Sequence, residues 1–405
     1  MLDNLNSFLT LGYFLDYYNK DLSIDSSNIN KKKYNKIDKV ELIKIGSKLW
    51  RDAISSNFKT NQKHLVPISG GLDSRAILAG LLEHTEAKNI YTYTYGTPNT
   101  LDYDIGNYIA KKFGTRHTSF DLTQYIYNQN ELENISKRVN FQTVLFHHAP
   151  VAMIDQKFKG CILWSGFFGE TLTGDHLPKD KSNNIEEAKK KFILQNRYVR
   201  SKQISLNSHF ENLIDCNCID KNLLTLDEQL DFQNRQTKFI APHVLMDGFD
   251  YKLPFLHQKF TDFMLSIDNK YRYEQELYKR ILLNSFPKAF SYKTKINFGL
   301  PLYASKSRKF INRVENKILK IVKIRKNIEI NYLDFDEKIR HKQDLQNIMK
   351  NNILDLKERN IIDWIDIENI LNNHLAKKGN YADTLIVLAS LEIHLKNGLK
   401  LEGIN

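Results

Sequence analysis

Cysteine is scarce: the 405 residues hold three, Cys161, Cys216 and Cys218. So low and odd a count argues against a disulfide framework. Cys216 and Cys218 are close enough to suggest a metal site, but a four-ligand zinc site needs a second pair and the sequence has none. Reduced thiols are the expectation. Long apolar runs are missing too. Charges interrupt each apolar stretch before it nears the roughly 20 residues of a spanning helix. The start, Met1-Leu2-Asp3-Asn4, has no basic leader followed by an apolar segment. The expectation is therefore a cytoplasmic protein with no membrane partner.

What is present suits a globular chain. Hydrophobic residues make up 41% and aromatics 11%, too many for a disordered protein. The length allows about two or three domains. Basic residues outnumber acidic ones by 59 to 47, a net +12, which would suit nucleic acid or an anionic substrate. Much of the excess lies between Lys306 and Lys326, where Phe310, Val314, Ile318 and Ile321 recur at helical spacing. The lysines there read as the solvated face of an amphipathic helix, so nucleic acid is not the expected partner.

Periodicity divides the chain into three. Residues 1–60 read as an N-terminal helical extension, with one helix from Leu5 to Tyr18 and a second carrying Leu42, Ile45, Leu49, Ala53 and Ile54. Residues 61–300 alternate strand and helix. Leu65-Val66-Pro67-Ile68 ends in Ser69-Gly70-Gly71, Ala76–Leu82 is helical, Ile90–Tyr95 is strand-like, Asp104–Phe113 is helical, and Gly160–Trp164 is a candidate buried strand. That alternation predicts a parallel sheet with ligands bound beyond the carboxyl ends of its strands. Residues 301–405 read as a C-terminal helical region.

The strongest chemical signal is Ser69-Gly70-Gly71-Leu72-Asp73-Ser74-Arg75, which follows a strand and opens a helix. Glycines allow a tight turn and close backbone approach. Amide N–H groups at a helix start carry partial positive charge, so the loop forms an anion nest. Asp73 would repel a bare phosphate and makes sense with Mg²⁺ between them. The Gly-Lys-Ser/Thr ending of a Walker loop is absent.

Ser69–Ser74 resembles the pyrophosphate loop (PP-loop) of the N-type ATP pyrophosphatases, enzymes that cleave ATP between its α and β phosphates. Three later segments resemble the synthetase domain of asparagine synthetase and β-lactam synthetase in particular. Ser165-Gly166-Phe167-Phe168-Gly169-Glu170-Thr171-Leu172-Thr173-Gly174 resembles their second ATP loop. Gly248–Leu256 resembles their Glu-x-Arg-x-Pro-Phe-Leu segment. Lys293-Thr294-Lys295-Ile296-Asn297-Phe298 resembles the basic segment with an essential lysine, and Leu385–Leu395 resembles the closing helix.

The resemblance implies an α/β fold with a parallel-sheet PP-loop ATP pyrophosphatase core (HUP-like, adenine nucleotide α-hydrolase-like) and a mainly helical C-terminal region. It implies ATP and Mg²⁺ as cofactors and an AMP- and pyrophosphate-forming amide ligase. Ser69, Gly70, Gly71, Asp73 and Ser74 would hold the pyrophosphate, with Ile68 also in the cofactor-binding set. Gly96, Ser165 and Gly166 would line the nucleotide. Asp73 and Glu170 would bind Mg²⁺, with Glu170 standing where the family usually has Asp. Lys295 would be catalytic, neutralising charge on the α-phosphate. Asp250 stands where the family has Glu and is either a second catalytic residue or a partner of Lys252. His147 and His148 lack ligands at metal spacing and read as structural.

Departures bear on the substrates. Phe167 stands where asparagine synthetase usually has an acidic residue, Thr171 where it usually has Glu, and Arg75 where a second Ser or Thr is usual. These weaken the case for aspartate as acceptor and leave a sugar acid or a secondary metabolite open. Asparagine synthetase begins with a cysteine-dependent glutaminase domain, whereas here no cysteine precedes Cys161 and the loop comes after only about 68 residues. The expected partners are a small carboxylate together with ammonia, an amine, or a separate glutaminase subunit. Two alternatives remain: a tRNA-modifying PP-loop ligase, and a nucleotide-binding partner protein without turnover.

Overall fold

The computed structural model describes residues 2–17, 28–206, 209–216, 223–321 and 331–401. At its centre is a five-stranded sheet of order β3-β2-β1-β4-β5, with every neighbouring pair parallel. The strands are β1 (Lys63–Pro67), β2 (Ile90–Gly96), β3 (Arg116–Asp121), β4 (Cys161–Trp164) and β5 (Asp250–Lys252). The chain starts in the middle, builds outward through β2 and β3, then returns to the other side of β1 with β4. That reversal leaves a crevice between the loops that follow β1 and β4, which is where open parallel sheets bind ligands.

Helices cover the sheet. The helices that bear on the site are α1 (Leu2–Leu11), α2 (Lys39–Ser55), α3 (Asp73–Leu81), α4 (Leu101–Phe113), α5 (Gln129–Arg138), α6 (Val151–Lys157) and α7 (Gly169–Thr173). α2 is capped by Asp38, whose side chain accepts from the Glu41 N–H. Its apolar stripe buries Leu42, Trp50, Ala53 and Ile54. Trp50 packs on Phe255 and Phe260, with ring centroids 4.6 and 5.2 Å away. Each such ring contributes roughly 1.5–3 kcal/mol by leaving water.

The expected helix from Leu5 to Tyr18 stops at Leu11, because Gly12 turns left-handed at φ +81°; Tyr18 lies outside the described residues. The buried cores cross the expected three-part division. Leu5, Phe8 and Leu9 share a core with the C-terminal helices, including Leu385–Leu391, while Trp50 shares one with Phe263 and Ile281. Among the described residues no helix is long and apolar enough to cross a membrane.

The basic stretch does form a helix, Lys306–Ile321, but its apolar face is not covered. Phe310, Ile311, Val314 and Ile318 are all exposed. The stretch from 322 to 326 lies outside the described residues, as does Cys218 of the Cys216–Cys218 pair.

Candidate active site

The loop from Ser69 to Leu72 leaves β1 and turns directly into α3. Ser69 Oγ accepts from the Gly71 N–H at 3.2 Å and lies 3.4 Å from Ser74 Oγ, which curls the loop on itself. α3 begins without a side-chain cap, since Leu72 at its N-cap has no acceptor to offer. The N–H groups of its first turn therefore remain available to an anion. Lys295 is brought against this loop by backbone: its N–H donates to the Gly70 carbonyl at 2.9 Å. Its Nζ donates to Asp102 Oδ2 at 2.5 Å, and Asp102 Oδ1 accepts from the Gly70 N–H at 3.2 Å. Burial alone would lower the Lys295 pKa. The Asp102 carboxylate outweighs it and raises the value, so the ammonium stays charged.

Arg75 supports the basic segment from below. It is fully buried, donating from Nη2 to the Lys293 carbonyl at 2.6 Å and from Nη1 to the Ala289 carbonyl at 3.4 Å. Its guanidinium carbon lies 5.7 Å from the Phe290 ring centroid. Burial pushes its pKa down to about 10, still charged at neutral pH. Lys293 and Thr294 form β6, paired antiparallel with β7 (Leu300–Pro301), and this small ribbon sets the register of Lys295. An Arg where a small hydroxyl residue was expected thus has a structural reason.

Asp73 is half-buried, packed against the second loop at the cavity wall. Gly169 is needed there: a Cβ on it would come within 2.2 Å of Asp73 Oδ2. Asp73 Oδ1 accepts from the Tyr278 hydroxyl at 2.9 Å. Its pKa is pushed well above the usual carboxylate range, by burial first, then by the charges of Glu170 and Asp175 against the opposing bond from Tyr278. Converging carboxylate oxygens with this repulsion suit a hard divalent cation. Glu170, Asp175 and His176 also place ligand atoms within 4.8 Å of one another, the one such group among the described residues.

Of the residues singled out by sequence, Ser69, Gly71, Asp73, Ser74, Ser165, Gly166 and Glu170 line a single cavity of about 380 Å³. Gly70 and Lys295 meet each other against the start of α4. Ile68 is turned into the core, with its N–H bonded to the Tyr93 carbonyl at 2.8 Å and its carbonyl to Thr94 Oγ1 at 2.7 Å. Gly96 has φ +151°, and a Cβ there would collide with Asn331 Oδ1 at 2.0 Å; the cavity wall at that point is its neighbour Tyr95. Asp250 is not brought together with the others. It is exposed at the start of β5, opposite Ile162, at the end of the sheet away from the two loops.

Residues 47–139 match the model of the asparagine synthase family. The matched span runs from α2 through β1, the Ser69–Ser74 loop, β2, α4 and β3 to the end of α5. The match covers 93 of the 405 residues and, in that span, supports a synthetase domain similar to that of asparagine synthetase. The match supports an ATP-dependent ligase of that family. No curated protein matches the chain.

The cavity extends beyond the two loops to a wall that sequence reasoning missed, made by Tyr93, Tyr95, Phe249 and Tyr251. Arg235 and Gln236 line it from a π-helical stretch, Asp231–Ile240, with Arg235 on the side of Asp231, His176 and Glu170. Such stretches are rare and frequent at functional sites. His147 fits its structural reading, with Nδ1 3.1 Å from the Tyr198 hydroxyl and its ring against Tyr332 and Phe335. His148 instead lines the cavity, stacked on His243 with centroids 3.9 Å apart. Asp102, Tyr278 and Arg235 were missed as well. The partners of Asp102 and Tyr278 lie 193 and 205 positions away, so no local pattern marks them, and Arg235 shows only an ordinary i,i+4 pair with Asp231.

Proposed function

We propose that the chain activates a carboxylic acid with ATP and joins it to ammonia or an amine. The observation that carries this reading is a charged lysine pinned across an ATP-type loop: Lys295 is bonded to Gly70 by its backbone and held at Nζ by Asp102. In the first step a carboxylate oxygen attacks the α-phosphorus. The bond to the bridging oxygen breaks, and its electron pair leaves with pyrophosphate. Negative charge is crowded in that transition state, and a preorganised ammonium with loop N–H donors stabilises it without reorganising. Asp73 and Glu170 would hold Mg²⁺, which when bound neutralises charge on the phosphates. In the second step a neutral amine nitrogen attacks the acyl carbon, loses its proton, and AMP departs.

The nitrogen donor in this reading is ammonia, an amine, or nitrogen delivered by a separate glutaminase subunit. Glutamine alone should then give no amide with the purified chain. Product analysis tests the whole: AMP and pyrophosphate are expected from ATP, an acid and ammonia. ADP and phosphate without AMP would refute the reading. Modified tRNA, or tight ATP binding without products, would point to the two alternative classes.

A further inference from the structure

The apolar face left open on the helix Lys306–Ile321 points away from the protein. Three residues of that helix turn inward. Lys309, Asn312 and Asn316, spaced i, i+3 and i+7, are half-buried, and all are polar. Asn312 Nδ2 donates to the carbonyls of Phe298 and Asn297 at 3.0 and 3.2 Å, and Lys309 Nζ donates to the Leu302 carbonyl at 3.3 Å. Polar contacts thus fix the helix to the turn that follows Lys295. Successive residues step about 100° around a helix, so Phe310, Ile311, Val314 and Ile318 fall on the opposite side. They are 68, 56, 40 and 53% exposed. An amphipathic helix of a globular protein ordinarily turns such a face to the core. Here it is reversed, which leaves four bulky side chains for an apolar phase outside the molecule.

Charge says which phase. From Lys306 to Ile318 five residues are basic and one, Glu315, is acidic. Lys306, Arg313 and Lys317, spaced i, i+7 and i+11, run along one edge of the apolar face, and Arg308 flanks the other. All four are exposed. Among the described residues no carboxylate is in ion-pair contact with any of them. Lysine and arginine stems can lie along apolar surface while their charged heads reach an anionic layer. A second copy of this helix would bring the same positive edge and be repelled. Tyr303, 63% exposed and just before the helix, adds a ring of the kind that settles among headgroups.

We propose that this helix docks the chain on an anionic lipid bilayer. It lies in the plane of the interface, with Phe310, Val314 and Ile318 among the upper acyl chains and Lys306, Arg313 and Lys317 at the headgroups. Such docking needs no spanning helix, and it replaces the expectation of no membrane partner, which considered spanning length alone.

Co-sedimentation of the full chain with vesicles tests it. Binding to phosphatidylcholine vesicles containing about one-third phosphatidylglycerol should exceed binding to pure phosphatidylcholine by about tenfold or more, and should weaken between about 0.05 and 0.5 M salt. Phe310→Gln combined with Ile318→Gln keeps the charge and should lower binding by about tenfold or more. Lys306→Gln, Arg313→Gln and Lys317→Gln together keep the apolar face and should do likewise. These five positions are exposed, so the circular dichroism spectrum should not change. Phe310→Trp should add blue-shifted emission when the phosphatidylglycerol vesicles are present. Absence of binding to those vesicles would overturn the docking and leave the face to a protein partner. Binding that the Phe310 and Ile318 pair leaves intact would overturn it too, since the net charge alone would then account for adhesion. A dimer in analytical ultracentrifugation that the same pair dissolves, with vesicles ignored, would give the face to a second copy instead.

Discussion

The phosphate end of the cavity is built largely from backbone and six consecutive residues, Ser69–Ser74. The far end is built from side chains delivered by separate stretches, including Tyr93, His148, His243 and Tyr251. The two ends also differ in charge economy. Around the loop, ionisable groups face one another: Lys295 with Asp102, and Asp73 with Glu170. At the other end the imidazoles are kept neutral by burial. One end is prepared for charge that arrives and grows, the other for shape and hydrogen bonds. Under the proposed function, nucleotide chemistry can therefore stay fixed while acceptor choice drifts.

Asp73→Asn should break the contrast most sharply. Pyrophosphate release should vanish, yet the chain should become more stable. The Asp73 pKa is raised in the fold, so its stabilising protonated form is fully present below the unfolded value and lost as pH rises through the folded one. Desolvation and the charges of Glu170 and Asp175 disfavour the ionised side chain, and the amide removes that cost. A melting temperature at least a degree higher, with activity abolished, is expected from calorimetry and pyrophosphate assay. Near-normal activity at low Mg²⁺ would contradict the metal role.

Lys295→Ala tests whether the charge acts on the transition state. A loss on the order of a hundredfold in kcat is expected, with a smaller change in the KM for ATP. Lys295→Arg should rescue only in part, because a planar guanidinium is a poor substitute for a compact ammonium. Lys293, whose Nζ lies 5.4 Å from the Tyr108 ring centroid, should tolerate alanine better. Equal, small effects at both positions would make the basic pair a solvated loop.

The buried imidazoles at and around the far end should reveal themselves in acid. His147 and His394 are pushed down to about 4 and His243 to about 3, all by burial. A depressed histidine stabilises the fold above its unfolded pKa and loses that contribution as pH falls. Between about pH 6.5 and 4 the unfolded chain binds more protons, so stability should drop with a slope above one proton. Urea titrations at several pH values measure this, and His243→Gln should flatten the slope. An unchanged slope in the variant would remove the imidazoles from the account.

How much could be read from sequence follows the same divide. β1, β2, β4 and the loop are contiguous patterns, and they stand where expected. Lys295 was legible only through resemblance, because a lysine by itself carries no signal. β3 escaped notice: Arg116–Asp121 is polar, and its side chains are largely half-exposed at the sheet edge. β5 has only three residues, which leaves no period to detect. Arg235 and His148 are ordinary residues in ordinary surroundings until the fold places them in one wall. The exposed apolar face of Lys306–Ile321 shows the reverse limit: periodicity gave the helix but not whether anything would cover it.

Arg75 also orders the making of the molecule in time. Its carbonyl partners lie 214 and 218 residues downstream. During synthesis, at roughly 5–20 residues per second, the guanidinium emerges on the order of ten seconds or more before the segment that completes it. Until then it is a charge with no buried place to go, and α3 cannot dock fully onto that side. The Ser69–Ser74 loop is thus translated early but gains Lys295 late, so under the proposed function a nascent chain has no complete ATP site before residues 289–295 have emerged.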